Sequence, residues 1–295
     1  TWLTGKPSKI YYTREETMIA GSARHEMEVT VKLGAMKDGT IRAIEVHALS
    51  NTGTYGEHGP TTIGLVGHKS IPLYSGKYEA FRFVANTVYS NHPSAGAYRG
   101  YGATQGVFAM ENTVNLMAHK LGIDPVKIRE HNMLHEGDIM TAYNNETANA
   151  CALDQCMARC KEMMDWDSKF PAKTLPNGHI RSVGVAMAMQ GSCISFVDEA
   201  NVTIKMNDDG FYSLLVGSTD MGTGSDTILA QMAADVLECD LDDVVTYGVD
   251  TDTSPYDSGS YASSTTYLTG NAVVKAAEQL RQNITEQAAK RLECP

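Results

Sequence analysis

Polar and apolar positions alternate with period two between residues 26 and 50. Val29, Val31 and Leu33 interleave with Glu28, Thr30 and Lys32, a Lys37-Asp38-Gly39 turn follows, and Ile44, Val46 and Ala48 return on one face. Alternation on both sides of an Asp-Gly step predicts a β-hairpin. The stretch from Thr52 to Ser70 is Gly-rich and reads as a loop, and Tyr78 to Tyr89 reads as a further strand. Val107, Met110, Val114, Met117 and Leu121 then recur three and four apart, which predicts an amphipathic helix ending at Gly122. Asp124 followed by Pro125 is an N-cap with Pro at the first helical position, opening a short helix to about Met133.

The same order of elements recurs further along. Val183 to Met189 reads as a buried strand. Val202, Ile204 and Met206 lead into Asp208-Asp209-Gly210, and Leu214 with Val216 return as the second arm of another hairpin. Ile228, Leu229, Met232, Val236 and Leu237 form a helical stripe, Val244 to Val249 a strand, and Ala272 to Leu292 a long helix. A hairpin followed by a helix, occurring twice, predicts an α+β fold of two lobes with mixed β-sheets and flanking helices. The polar stretch between Glu136 and Ala150 has no period and reads as the connection, which divides the chain into a first lobe, 1–140, and a second, 141–295. Phe170 to Gly178 reads as a second connector.

Composition narrows the function classes. The chain has 295 residues and 24 − 35 gives a net charge of −11, so a general nucleic-acid binder would need a local basic patch, and none is visible. No apolar run approaches the roughly 20 residues that span a bilayer. Thr1 to Pro7 has no apolar signal-peptide core. A cytoplasmic protein with no membrane partner is therefore expected. The opening on Thr1 rather than Met reads as part of something longer. Of the six cysteines, Cys151, Cys156 and Cys160 cluster, but their spacing fits no iron–sulfur run. They read as ordinary packed thiols, and no protein metal ligand is assigned.

Three segments carry candidate chemistry. In the first, 91–106, Gly96, Gly100, Gly102 and Gly106 surround Arg99 immediately before a helix. A Gly-rich turn at a helix start exposes N–H groups, and Arg99 could present a planar fork to a carboxylate or oxyanion. A structural ion pair for Arg99 and a plain turn for the glycines is the competing reading. The second segment, Gly217-Ser218-Thr219-Asp220-Met221-Gly222-Thr223-Gly224-Ser225, has the composition of a backbone nest for phosphate. It is neither a P-loop nor a dinucleotide fingerprint. The third, 253–273, crowds hydroxyls ahead of the last helix, more than capping needs, and reads as a site for a ligand rich in acceptors and donors, with a solvated loop as the alternative.

Taken in order, Ala97-Tyr98-Arg99-Gly100-Tyr101-Gly102 with Gln105-Gly106, Met221-Gly222-Thr223-Gly224 and Tyr261-Ala262-Ser263-Ser264 resemble the molybdenum-binding subunit of the xanthine dehydrogenase family of molybdopterin hydroxylases. Thr4-Gly5-Lys6-Pro7, Arg14-Glu15-Glu16, Arg24-His25 and 132–138 also look like that family's landmarks, so the resemblance covers nearly the whole chain.

The resemblance implies a molybdopterin-binding fold of the xanthine oxidase type and an enzyme that oxidises an N-heterocycle such as a purine with water as the oxygen source. Arg99 would be the active-site arginine that holds the substrate and stabilises developing charge. Gln105, Gly191, Gly222, Thr223, Gly224, Ala262, Ser263 and Ser264 would contact the cofactor, and Cys193 and Phe196 the substrate. Thr223 stands where many members carry Gln, and Gly100 argues against the carbon monoxide dehydrogenase branch. The cofactor would be molybdenum-molybdopterin, as such or as its cytosine dinucleotide, with iron–sulfur clusters and FAD on partner subunits or domains of an oligomer. A catalytic glutamate is expected downstream of Pro295 and a Gly-rich loop upstream of Thr1, so the chain reads as an inactive middle piece. An aldehyde oxidase, an aromatic acyl-CoA reductase, or a non-catalytic module for a phosphate-bearing ligand are the alternatives.

Overall fold

The structure, a computed structural model, describes residues 2–192 and 198–294. Its residues group into two compact units, Thr1–Gln190 and Gly191–Pro295.

In the first unit, α1 (Arg14–Ala20) carries a capping box between Thr13 and Glu16 and buries none of its residues. Strands β1 (Glu26–Ala35) and β2 (Ile41–Asn51) form the expected antiparallel hairpin, and β3 (Ala80–Val88) pairs with β2 in parallel, giving the order β1-β2-β3. Ile41, Ile44, Val46 and Ala48 of the central strand are buried. A parallel neighbour requires a crossover. That crossover is a helix, α2 (Gly59–Ser70), where the sequence reads as a loop. Its glycines and threonines have weak helix propensity. The helix is held instead by its buried face, Thr62, Ile63, Val66, Gly67 and Ser70, packed on β2, β3 and the long helix α3 (Ala103–Leu121). α3 ends at Gly122 in the left-handed region, and α4 (Pro125–Asn132) is capped by Asp124, which accepts from the Val126 N–H at 2.7 Å.

The chain beyond α4 stays with this unit. A two-residue ribbon, β4 (Ile139–Met140) with β5 (Glu146–Thr147), leads to α5 (Leu153–Met164) and α6 (Trp166–Lys169). Met157 and Trp166 are buried in the first core, and the Trp166 indole donates to Asp124 Oδ2 at 3.0 Å. Compactness therefore changes after Gln190, later than the polar stretch on which the sequence places its lobe boundary. A second ribbon, β6 (Lys173–Thr174) with β7 (Ile180–Arg181), precedes 183–189. That segment, which the sequence reads as a buried strand, buries Met187 and half-buries Val183, Val185 and Met189 with exposed residues between them, and among the described residues it has no ladder partner and forms no strand. Period-two burial describes side chains; strand formation also needs a neighbouring backbone. The cysteines differ from expectation too: Cys156 and Cys160 are exposed, because the buried stripe of α5 runs through Met157.

The second unit repeats the connectivity. Strands β8 (Val202–Met206) and β9 (Tyr212–Val216) form the second hairpin, α7 (Ser225–Leu237) crosses over, β10 (Val244–Gly248) pairs in parallel with β9, and α8 (Thr265–Leu292) follows. The order β10-β9-β8 matches β3-β2-β1 element for element. Leu214, Val216, Leu229, Ala233 and Val273 form its core. α8 begins at Thr265 rather than near Ala272, since Thr269 and Gly270 are buried and Gly270 lies against Met232 of α7. In both units the loops that leave the C-terminal ends of the parallel strand pair lead into helix N-termini. Open parallel sheets bind ligands at those ends.

Candidate functional site

In the first unit, the loop from Tyr89 to Gly102 runs beside residues 23–25. Ala23 forms a parallel bridge with Ala95 and accepts from the Gly96 N–H at 3.0 Å. The half-buried Arg24 donates from Nη2 to the Arg99 carbonyl at 2.7 Å and from Nη1 to Thr104 Oγ1 at 2.7 Å, with its guanidinium carbon 4.7 Å from the Tyr98 ring centroid. The His25 carbonyl accepts from Gln105 Nε2 at 3.1 Å, while Gln105 Oε1 accepts from Thr104 at 2.8 Å. Gln105, expected on the cofactor, thus uses its amide to tie 23–25 to α3. The His25 ring is buried beside Glu57, His58 and Gly96, and that burial, reinforced by His58, holds its pKa below the usual histidine value.

Arg99 is exposed, and among the described residues its guanidinium makes no hydrogen bond or ion pair. The structural ion pair that competes with a ligand role is not formed there. The glycines divide between two roles. A Cβ on Gly102 would lie 1.9 Å from the Thr62 carbonyl oxygen and one on Gly106 2.2 Å from that of Val66, so these two let α3 approach α2. Gly100, at φ +72°, makes the turn after Arg99, and a Cβ there would meet only the Thr104 methyl.

In the second unit, the segment 217–224 meets the loop before α8. The Thr219 N–H donates to Ser260 Oγ at 2.8 Å, and Gly217 approaches the Pro255 carbonyl. The nest expected from composition is present and already holds an anion. Asp220 Oδ1 accepts from the N–H groups of Gly222, Thr223 and Gly224 at 2.8, 2.9 and 3.3 Å, and Oδ2 from that of Asp226 at 3.3 Å. These bonds, that from Gly222 foremost, hold the Asp220 carboxyl below the usual carboxylate range. Asp226 is raised instead, by burial and by the charge of Asp220. Sequence reasoning passed over Asp220, although Asp two residues ahead of Gly is the signal of an Asx turn.

Ala262 and Ser263 both take positive φ, +52° and +56°, immediately before α8. Left-handed conformations at non-glycine residues cost about 1–3 kcal/mol each and gather at functional sites. Ser263 is exposed, and the buried Ser264 donates from Oγ to the Tyr261 carbonyl at 2.8 Å. Gly191 is half-buried at the start of this unit, whereas Cys193 and Phe196 lie outside the described residues. Arg99 and Gln105 belong to the first unit and the other candidates to the second.

These residues suit a phosphate-bearing cofactor. The Asp220 carboxylate is a stand-in that shows the 222–224 donors accept an oxyanion, and nothing lies within 4 Å of a Cβ built on Gly222 or Gly224. The buried Ser218 and Ser225 hydroxyls flanking the loop have no hydrogen-bond partner among the described residues.

Two family models, each described as a molybdopterin cofactor-binding domain, match residues 1–133 and 159–295. The chain is 41% identical to the probable hypoxanthine oxidase XdhD of Escherichia coli strain K12, over 99% of its own length and 31% of that protein's. It is 35% identical to the putative xanthine dehydrogenase molybdenum-binding subunit XdhA of the same strain, over 97% of its own length and 38% of that protein's. It thus spans about a third of these relatives. Among solved structures, the aldehyde oxidoreductase from Desulfovibrio gigas matches with a TM-score of 0.80 at 26% identity, over 91% of this chain and 30% of that one. Quinoline 2-oxidoreductase from Pseudomonas putida 86, at 21% identity and a TM-score of 0.77 over 96% of this chain and 38% of that one, shares the fold. With both halves matched by the same cofactor-binding description, the chain belongs to the molybdopterin-binding domains of the xanthine dehydrogenase family.

Proposed function

We propose that the chain is part of the molybdenum-cofactor subunit of a xanthine dehydrogenase-like hydroxylase that oxidises an N-heterocycle such as a purine, with water as the oxygen source. The observation that carries this reading is the exposed Arg99 guanidinium, without a protein partner among the described residues, on a loop that residues 23–25 hold in place. Arg99 offers a planar, permanently charged fork to an oxyanion that develops on a substrate ring. Gly222, Thr223 and Gly224, with Ala262, Ser263, Ser264 and Gly191, bind the cofactor's phosphate and pterin ends through backbone N–H and hydroxyl groups. Asp220 leaves those N–H groups when a phosphate takes them. Gln105 supports the Arg99 loop from α3 and contacts the cofactor from there, and Cys193 and Phe196 contact the substrate. The bound molybdenum cofactor supplies the oxidation and activates the water. Molybdopterin as such or as its cytosine dinucleotide, iron–sulfur and FAD partners, an oligomeric enzyme and a cytoplasmic location are part of the same reading. Among the described residues no helix is long and apolar enough to cross a membrane.

An aldehyde as substrate is the second reading, favoured by the fold match to the Desulfovibrio gigas aldehyde oxidoreductase. Steady-state oxidation of purines and of aldehydes by the full-length protein, normalised to molybdenum, separates the two. Purine oxidation that falls in Arg99→Lys with little change in melting temperature supports the first reading; oxidation of aldehydes alone selects the second. A loss of stability in Arg99→Lys at constant normalised turnover would return Arg99 to a structural role. The 295-residue chain by itself is expected to hold little molybdenum, because ordering a partial pocket has an uncompensated entropic cost. Elemental analysis checks this, and stoichiometric metal would show that the pocket is complete within the chain.

A further inference from the structure

We infer that Arg24 is a positioning residue for the proposed chemistry, fixing the peptide that carries Arg99; the inference rests on the hydroxylase reading above. Arg24 stands outside the candidate loop in sequence and contacts it at three points: the Arg99 carbonyl, the Thr104 hydroxyl and the Tyr98 ring. Thr104 lies in the first turn of α3, so one guanidinium bridges the apex of the loop to the rigid helix behind it. Held at its carbonyl, the Arg99 peptide cannot rotate about the left-handed Gly100 that follows, the most permissive joint of the loop.

The neighbouring residues reinforce the hold. The Ala23 carbonyl binds the Gly96 N–H on one side of Arg24, and the His25 carbonyl binds Gln105 on the other. Residues 23–25 therefore grip the loop at its start, apex and end. Among the described residues Arg24 has no carboxylate within 4.0 Å, so its charge is not consumed in an ion pair, and its two donors are spent on uncharged oxygens of the loop. A Lys at this position has a single ammonium and no planar fork, and cannot reproduce the paired contact together with the face-on approach to Tyr98. Small displacements of a group that acts on the transition state cost about a hundredfold in rate. Loosening Arg24 therefore acts through Arg99.

A double-mutant cycle tests this in the full-length, molybdenum-loaded protein, with Arg24→Lys, Arg99→Lys and the double variant. Arg24→Lys should lower kcat per molybdenum about ten- to a hundredfold, with KM moving far less. Adding Arg24→Lys to Arg99→Lys should then cost less than about twofold, because the residue it positions is already gone. Equal losses in both backgrounds, or unchanged turnover in Arg24→Lys alone, overturn the inference. Hydrogen exchange on the protein before cofactor loading gives a readout independent of turnover. The Tyr98 and Thr104 amides, bonded to the Gly96 and Gly100 carbonyls, should exchange about tenfold faster in Arg24→Lys while β2 amides keep wild-type rates. Acceleration spread evenly over the first unit means that Arg24 only stabilises the fold, and refutes the inference. If no protein, wild type included, oxidises either substrate class, the hydroxylase reading fails, and the exchange comparison alone decides whether Arg24 holds the loop.

Discussion

Replacing Glu111 by Gln should destabilise the first unit more than any single surface change. Glu111 and Arg129 are almost fully buried, at 4% and 0% side-chain exposure, with Arg129 Nε 2.8 Å from Glu111 Oε2. The carboxylate also accepts from the Tyr74 hydroxyl and, at 2.7 Å, from the Met187 N–H. It thereby ties α3 to α4, to the turn after α2 and to the extended 183–189 segment. Gln keeps the shape and one acceptor, so the Met187 bond survives, but the Arg129 charge is left without a counterion. Breaking such a pair costs about 3–5 kcal/mol. A domain of this size shifts by about 2–4 °C per kcal/mol, so a fall in Tm of roughly 6–20 °C follows. The assay is tryptophan fluorescence during heating. Both tryptophans lie in the first unit; Trp2 is exposed and Trp166 is 3% exposed, so the signal change reports that unit's core. The double variant Glu111→Gln/Arg129→Met should recover much of the loss, because the stranded charge is gone. A single variant melting within about 1 kcal/mol of wild type, or a double variant no better than the single, would refute the account of this cluster.

Three further outcomes are expected. Gly102→Ala should destabilise by about 3 kcal/mol, from a left-handed backbone and a clash with the Thr62 carbonyl, whereas Gly64→Ala, with nothing within 4 Å and a helical backbone, should stabilise by about 0.5–1 kcal/mol; thermal melts compare them. Asp220→Ala should speed exchange of the Gly222, Thr223 and Gly224 amides, and in wild type their protection should persist at about pH 4 and vanish only as pH falls through the lowered Asp220 pKa, because that group's contribution is lost on protonation. Tyr143 is pushed up to about 12, by burial first and then by Glu146. A raised tyrosine pKa contributes stability that is complete below the unfolded value near 10 and is lost between about pH 10 and 12, so wild type should lose stability relative to Tyr143→Phe across that window in denaturant titrations.

Much of the local structure was legible because it depends on neighbours in sequence. The hairpin at 26–50 announces itself through alternation around Asp38-Gly39, and α4 through Asp124-Pro125. Helix α2 was not legible: its residues are poor helix formers, and only the packing of Thr62, Ile63 and Val66 under β2 and α3 makes it a helix. The glycines of 96–106 read as ligand-binding as a group, but Gly102 and Gly106 serve helix contact, because their role is set by what lies opposite each of them.

The sequence by itself determined the class and the family of this protein: mixed α and β elements in a repeated order, Gly-rich turns at helix starts, and three ordered motifs that mark a molybdopterin-binding chain. Tertiary structure alone decided how those motifs are used. Asp220 and the 222–224 amides are neighbours in sequence, but whether the carboxylate turns in to fill the nest depends on the folded loop. Arg24 lies about 75 residues from Arg99, and no periodicity or spacing connects them; the parallel bridge between Ala23 and Ala95 brings them side by side. Short-range chemistry is written along the chain, whereas long-range contact is a property of the whole fold, since each pairing exists only after many others have formed.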